Sequence, residues 1–221
     1  LKINVESLRA VNSLGEMMIA TRHTNTTVKK GDKLAGTRII PLLIEQEKME
    51  KAKDVAGNSP ILSLMPFKKK KVGIVTTGNE VFYGRIKDTF GPVVAEKVKE
   101  FGADVIGQTI VNDDMEKIAK ATESFIEQGA DMVLCTGGMS VDPDDKTPGA
   151  IKSTGARIVS YGAPVLPGAM MLLAYYKKDE KEIPIVGLPG CVMYSKRTVF
   201  DLVLPRLMAD DMVTSDDLAG L

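Results

Sequence analysis

Apolar and polar positions change rhythm near residue 70. From Lys71 onward, short apolar runs alternate with amphipathic stretches of about three turns. Val72 to Thr76 and Met132 to Cys135 are compact runs of the length expected for strands buried on both faces. Ala103 to Val111 reads as another strand. Phe90 to Phe101 places Val93, Val94, Val98 and Phe101 on one side, which predicts an amphipathic helix. Asn112-Asp113-Asp114 caps a further helix running to Gln128, and Asp113 is an especially good cap. Near Arg157 to Ser160 there is a further strand. Met170 to Tyr175 and Ile183 to Gly187 can pair antiparallel through the charged turn Lys177 to Glu182. Val192 to Met208 predicts the last helix, and Asp210 to Leu221 reads as a polar tail that frays. Strands alternating with helices imply right-handed crossovers. The expected fold is therefore α/β, a mainly parallel doubly wound sheet with helices on both faces.

Residues 1–68 follow another pattern. A short strand and a helical turn fit Leu1 to Leu14. Met-Met-Ile-Ala lies between Glu16 and Arg22. A β-turn at Val28 to Asp32 leads into an extended segment from Lys33 to Ile44. Short strands with Gly-Asp turns predict a small β-rich module. Glu45 to Val55 favours helix by composition, and Gly57-Asn58-Ser59-Pro60 breaks it. The expected division is a β-rich module with its linker at 1–68, the linker lying around 45–68, and an α/β domain at 69–221.

The stretch from Leu134 to Ala150 carries the densest chemistry. Gly137 and Gly138 follow a buried strand, where the backbone must turn sharply or approach something closely. Ser140, Asp142, Asp144 and Asp145 come next, and Thr147-Pro148 predicts a helix start with Thr147 as N-cap. Exposed amides at such a turn attract phosphate, and carboxylates beside it can hold Mg²⁺. The alternative is a strand-to-helix turn whose aspartates only cap. In a doubly wound sheet, ligands sit beyond the carboxyl ends of the strands. Thr77 to Glu80, Asn112 to Asp114, Thr136 to Asp145 and Leu188 to Gly190 all occupy such ends. Glu80, Asp113 and Asp145 are the carboxylates expected to converge there, to hold a metal or to accept a proton.

Composition narrows the choice. Formal net charge is 0, so bulk attraction to nucleic acid or to membranes is not expected. Aromatics are 5% with no Trp, which leaves little for base stacking. No apolar run approaches the ~20 residues of a bilayer span, and none reads as a signal peptide. The first residue is Leu1, as in a processed or truncated piece. Two cysteines, Cys135 and Cys191, do not make a disulfide scaffold, which points to a reducing, cytoplasmic setting. His23 is the only histidine, which argues against a Ser-His-Asp triad or a histidine zinc site. There is no P-loop and no GxGxxG fingerprint. The final helix is apolar through Phe200, Leu202, Val203, Leu204, Leu207 and Met208. A helix buried on two sides needs a second partner, which residues 1–45 or another subunit could supply; of the two, a homo-oligomer is expected.

The motifs occur together in a telling order. Gly73 to Glu80 (GIVTTGNE), Asp88, Asn112-Asp113-Asp114, Thr136-Gly137-Gly138-Met139-Ser140, Asp145-Lys146-Thr147-Pro148 and Leu188-Pro189-Gly190 follow one another along the chain. From about 70 to 210 the sequence resembles the molybdopterin-binding domain shared by molybdopterin adenylyltransferases and molybdopterin molybdenumtransferases. The resemblance implies a pocket for the pterin dithiolene, with its phosphate over the Gly137-Gly138 loop. Thr77, Gly78, Asp88, Thr136, Gly137, Gly138, Ser140, Pro189 and Gly190 would bind the molybdopterin. Asp113 and Asp145 match acidic positions of the adenylyltransferase branch. Glu80 and Asp88 match those of the molybdenumtransferase branch, where Mg²⁺ assists molybdate insertion. Glu80, Asp88, Asp113 and Asp145 would then hold Mg²⁺, with ATP or molybdate as the second substrate. The family's P-G-K-P stretch stands here as Pro167-Gly168-Ala169-Met170. Its LPG-[NK]-P stretch stands as Leu188-Pro189-Gly190-Cys191-Val192. The first lacks a lysine that would meet an anion, and both departures bear on catalysis more than on pterin binding. A non-catalytic molybdopterin carrier or sensor, and a competence-damage-type nucleotide-processing domain, are the other readings.

Overall fold

A computed structural model describes residues 1–221 apart from Val141, Pro143 and Asp144. The chain divides into two compact units, Leu1–Pro66 and Phe67–Leu221.

The first unit runs β1 (Lys2–Ile3), α1 (Val5–Asn12), β2 (Met17–Thr21), β3 (Ala35–Ile39), α2 (Gln46–Ala56) and β4 (Leu62–Ser63). β2 pairs antiparallel with β3, and β1 with β4. Val11, Met17 and Ala52 form its small buried core. The stretch expected as a linker, 45–68, is instead mostly part of this unit. Ala52 of α2 closes the core, and β4 returns to pair with β1. Apolar side chains on α2 at helical spacing outweigh the linker-like composition of the Gly57 to Pro60 break.

The second unit begins with β5 (Lys71–Thr77), α3 (Asn79–Phe82), α4 (Phe90–Lys99), β6 (Asp104–Val111), α5 (Met115–Glu127) and β7 (Met132–Thr136). It continues with α6 (Thr147–Ser153), β8 (Arg157–Tyr161), β9 (Leu172–Lys178), β10 (Lys181–Leu188), α7 (Val199–Met208) and α8 (Ser215–Ala219). The six strands lie in the order β6-β5-β7-β10-β9-β8. β6, β5, β7 and β10 are parallel, while β9 and β8 add antiparallel at one edge. β7 is buried at every position because each face is covered. One core packs α4 and α7 on Ile74, Leu134 and Val186, and the other packs α5 and α6 on Val75, Val133 and Ile185. The mainly parallel α/β sheet with two covered faces is thus the observed fold.

Three local expectations need correction. The last helix does not run from Val192. A short 3₁₀ turn, Gly190–Met193, is followed by a break, and α7 starts behind a Thr198–Asp201 capping box. Asp201 Oδ2 accepts from the Thr198 N–H at 2.8 Å, and Lys97 donates to its other oxygen at 2.6 Å. Next, α7 packs within a cluster made wholly from the second unit, and of its large apolar side chains Leu202 is left exposed. Its apolar faces therefore give no argument for a second subunit. Finally, the C-terminal stretch does not fray. Thr214 and Asp217 form a capping box for α8, and Val213 and Leu218 are buried.

An ion-pair network locks this end. Arg206, buried on α7, donates to Asp211 at 2.6 Å and pairs with Asp217 at 2.9 Å. Burial raises the carboxyl pKa of Asp217, but bonds from Arg206 and from the Thr214 N–H and hydroxyl outweigh it and hold it at about 2. A carboxylate depressed in the folded state adds stability above its unfolded pKa, and loses it as pH falls through the folded one. The stability deficit of Asp217→Asn should therefore be full near neutral pH and shrink between about pH 4 and pH 2. Urea unfolding at several pH values measures it. A deficit that does not change with pH would exclude this pairing.

Candidate functional site

The carboxyl ends of the parallel strands open into a cleft of about 760 Å³. β5 ends in Thr76, Thr77 and Gly78, which line it together with Asn79, Glu80 and Val81 of α3. The loop into α4 adds Ile86, Lys87, Asp88 and Thr89. Asp113 comes from the end of β6, and Gly137, Gly138, Asp142 and Asp145 from the turn after β7. A smaller cavity of about 310 Å³ lies beside it, lined by Gly137, Gly138, Met139, Ser140, Asp145, Met170, Pro189 and Gly190. The Gly137–Gly138 turn and Asp145 belong to both, so the turn is the wall between the two cavities.

Glycine is required in this turn. Gly137 has φ +86° and Gly138 φ +55°. A Cβ on Gly137 would overlap the Thr77 carbonyl oxygen and hydroxyl. The turn is then pinned from several sides. Thr147 donates its hydroxyl to the Gly137 carbonyl at 2.8 Å and lies 3.3 Å from the Thr77 hydroxyl. Met139 is buried against β10 where Gly187 has no side chain; a Cβ there would collide with the Met139 thioether. Tyr161 donates its hydroxyl to the Ser140 carbonyl at 2.7 Å. The expected role of Thr147 as N-cap is thus overturned. Lys146 holds the cap position, and the Thr147 hydroxyl serves the turn instead.

The expected site residues fall into groups. Glu80, Asp88, Asp113 and Asp145 all line the large cleft, together with Thr77, Gly78, Gly137 and Gly138. Ser140, Pro189 and Gly190 line the smaller cavity. Thr136 does neither: it is fully buried, and its hydroxyl donates to Thr76 Oγ1 at 3.2 Å inside the sheet. Asp144 lies outside the described residues. Asp113 is not the helix cap. Asp114 caps α5 by accepting from the Glu116 and Lys117 N–H groups, while Asp113 Oδ2 accepts from Asn79 N–H at 3.0 Å and fixes the start of α3. The two adjacent aspartates point to different tasks, which spacing alone does not separate. Asp88 is engaged as well. It accepts from the Phe90 and Gly91 N–H groups and from Gln108 Nε2 at 2.5 Å. Gln108 also donates to Thr76 Oγ1, so a polar chain runs from half-buried Asp88 through exposed Gln108 to the buried Thr76 and Thr136 hydroxyls. No group of three acidic, cysteine or histidine side chains among the described residues stands close enough to bind a metal by itself. The expected four-carboxylate metal cluster is therefore not assembled, because Asp88 and Asp113 are drawn to backbone amides.

Gln108 and Tyr161 reach the site without having been read from the sequence. Gly187, isolated in an apolar strand, was the signal available for Met139; Tyr161 carried none. Cys135 is buried behind the site, and burial pushes its thiol up to about 12. It stays a neutral packing group at neutral pH.

Comparisons with known proteins come from sequence and from structure. A family model described as a probable molybdopterin binding domain matches residues 73–209. The molybdopterin molybdenumtransferase of Synechococcus elongatus is 27% identical over 182 residues, 79% of this chain and 42% of that protein. A CinA-like protein of Mycobacterium tuberculosis is 36% identical over 77 residues, 35% of this chain and 18% of its own length. The chain therefore spans less than half the length of either relative. The tungsten cofactor synthesizing protein MoaB from Pyrococcus furiosus superposes with TM-score 0.51 at 22% identity, over 63% of this chain and 91% of that one, and shares the fold. With the family model matching more than half of its length, this chain belongs to the molybdopterin-binding domain family linked to molybdenum cofactor biosynthesis.

Proposed function

We propose that the second unit binds molybdopterin with its phosphate against the Gly137–Ser140 turn, and that it acts in molybdate insertion. The observation that carries this reading is the cleft itself: a glycine turn of fixed conformation beside five carboxylates, Glu80, Asp88, Asp113, Asp142 and Asp145, with Lys87 as the cation among the described lining residues. An anionic ligand in so acidic a cleft calls for a counter-cation. Mg²⁺ commonly uses one or two protein carboxylates, with ligand phosphate and water filling the rest. Among the described residues no group of three ligands stands together, which fits that mode. Glu80 and Asp145, less committed to backbone amides than Asp88 and Asp113, would hold the ion. When bound, it would neutralise phosphate and oxyanion charge. Asp88 and Asp113 keep the walls of the cleft in place. The similarity to a molybdenumtransferase over most of the chain favours insertion over adenylyl transfer. A cytoplasmic, homo-oligomeric protein fits this role.

The test is direct. Purified protein is titrated with molybdopterin in Mg²⁺ or EDTA, then supplied with molybdate or with ATP. Binding tightened by Mg²⁺, followed by consumption of molybdate, is the expected outcome. Consumption of ATP would move the assignment to adenylyl transfer. Binding with neither consumed would favour the carrier reading, which Ala169 in the place of the family's lysine supports. No binding of molybdopterin would end the proposal.

A further inference from the structure

The Gly137–Ser140 turn contains two glycines at positive φ, the residues with most conformational freedom to lose. It also separates two cavities. Such a wall needs holding at both ends. Thr147 and Thr77 hold it at Gly137. At the far end Ser140 is exposed, and its carbonyl accepts the Tyr161 hydroxyl at 2.7 Å.

How Tyr161 arrives there is informative. β8 and β9 pair Ile158 with Ala174 but Ser160 with Leu173, so Val159 is an extra residue in the ladder. Opposed residues in an antiparallel pair share a face, and a one-residue slip moves every later side chain to the other face. With the bulge, Tyr161 lies opposite Leu172, whose face is that of Cys135 and Met139. Without it, Tyr161 would lie opposite Met171, on the face of α4 and α7. Bulges at sheet edges re-aim side chains in this way. Tyr161 also lies near Asp145, which lines both cavities. Burial pushes its phenol up, and the negative charge of Asp145 adds to that push.

We propose that Tyr161 is a positioning residue of this site: delivered by the bulge at Val159, its hydroxyl fixes Ser140 and so holds the wall between the two cavities in the form that receives the ligand's anionic end. The inference rests on the reading that this turn receives phosphate. Tyr161→Phe removes the hydroxyl and little else. Hydrogen exchange of the full chain without ligand is expected to rise severalfold in peptides covering 137–140 and to stay unchanged in those covering β5 and β7, with the melting temperature preserved. Affinity for inorganic phosphate should fall about fivefold. Unchanged exchange at 137–140 would overturn the role of Tyr161, and so would a rise spread over the whole unit with a lowered melting temperature. Phosphate failing to bind even the unmodified protein would instead remove the anion reading, and the exchange comparison would still decide the role of Tyr161.

Discussion

Gly137→Ala should abolish molybdopterin binding and lower stability by about 2–5 kcal/mol. Two effects add at this position. A left-handed backbone costs a non-glycine residue roughly 1–2 kcal/mol, and forcing atoms into a packed site costs typically 1–3 kcal/mol. Gly137 has φ +86°, and its added Cβ would overlap the carbonyl oxygen and the hydroxyl of Thr77. The backbone oxygen cannot swing aside, because Thr77 is the last residue of β5 and is paired with Val111 of β6. Relief has to come from moving the turn, which is the wall of both cavities. Gly138→Ala makes a useful contrast. Its φ is +55°, and its Cβ would meet the Thr147 hydroxyl at 3.0 Å, a contact that a small rotation relieves. Urea unfolding and calorimetric titration of both variants should show a larger stability loss at Gly137. Equal and small effects at the two positions would show that the turn is neither tight nor part of the site.

Asp145→Asn should change chemistry and leave the fold intact. The Asp145 carboxylate lines both cavities, and its Oδ2 accepts the Asp142 N–H at 3.3 Å. An asparagine oxygen can accept the same bond, so the stability change should stay within the ~1 kcal/mol of a lost cap. If Asp145 holds Mg²⁺ as proposed, removing its charge should lower turnover by roughly 10²–10³-fold, the range for losing one preorganised electrostatic contact. If the protein binds without turnover, the same variant should lose the tightening of molybdopterin binding by Mg²⁺. Full turnover together with a lowered melting temperature would make Asp145 a structural residue only.

The sequence by itself determined the sheet. Buried runs such as Val72 to Thr76 and Met132 to Cys135, set between amphipathic helices, have one stable solution, because each strand must be covered on two faces. It also marked the end of the sheet where the candidate cleft opens, since glycines and carboxylates gathered at strand ends. The family motifs, in order along the chain, named the ligand class. The short strands of the first unit were visible from its turns, but α1 and α2 hold more of its residues than those strands do. That most of 45–68 packs into this unit and is not a linker was not visible, because β4 belongs to it through the pairing of Ser63 with Lys2, a contact between distant residues.

What the tertiary structure decided is which neighbour each polar group meets. Asp113 and Asp114 are adjacent and chemically identical; one caps α5, and the other turns to the amide of Asn79. Thr147 sits where a cap is expected, yet its hydroxyl is spent on the Gly137 carbonyl. Thr136 belongs to the motif but faces inward, because β7 is buried along its whole length. Tyr161 entered the site through one extra residue in an edge strand, and nothing in the local pattern of Arg157 to Tyr161 marks that slip. Periodicity records which face of an element is buried. It does not record which of several nearby donors and acceptors a side chain will satisfy, since that choice is set by distances across the fold, and those distances set how the cleft is built.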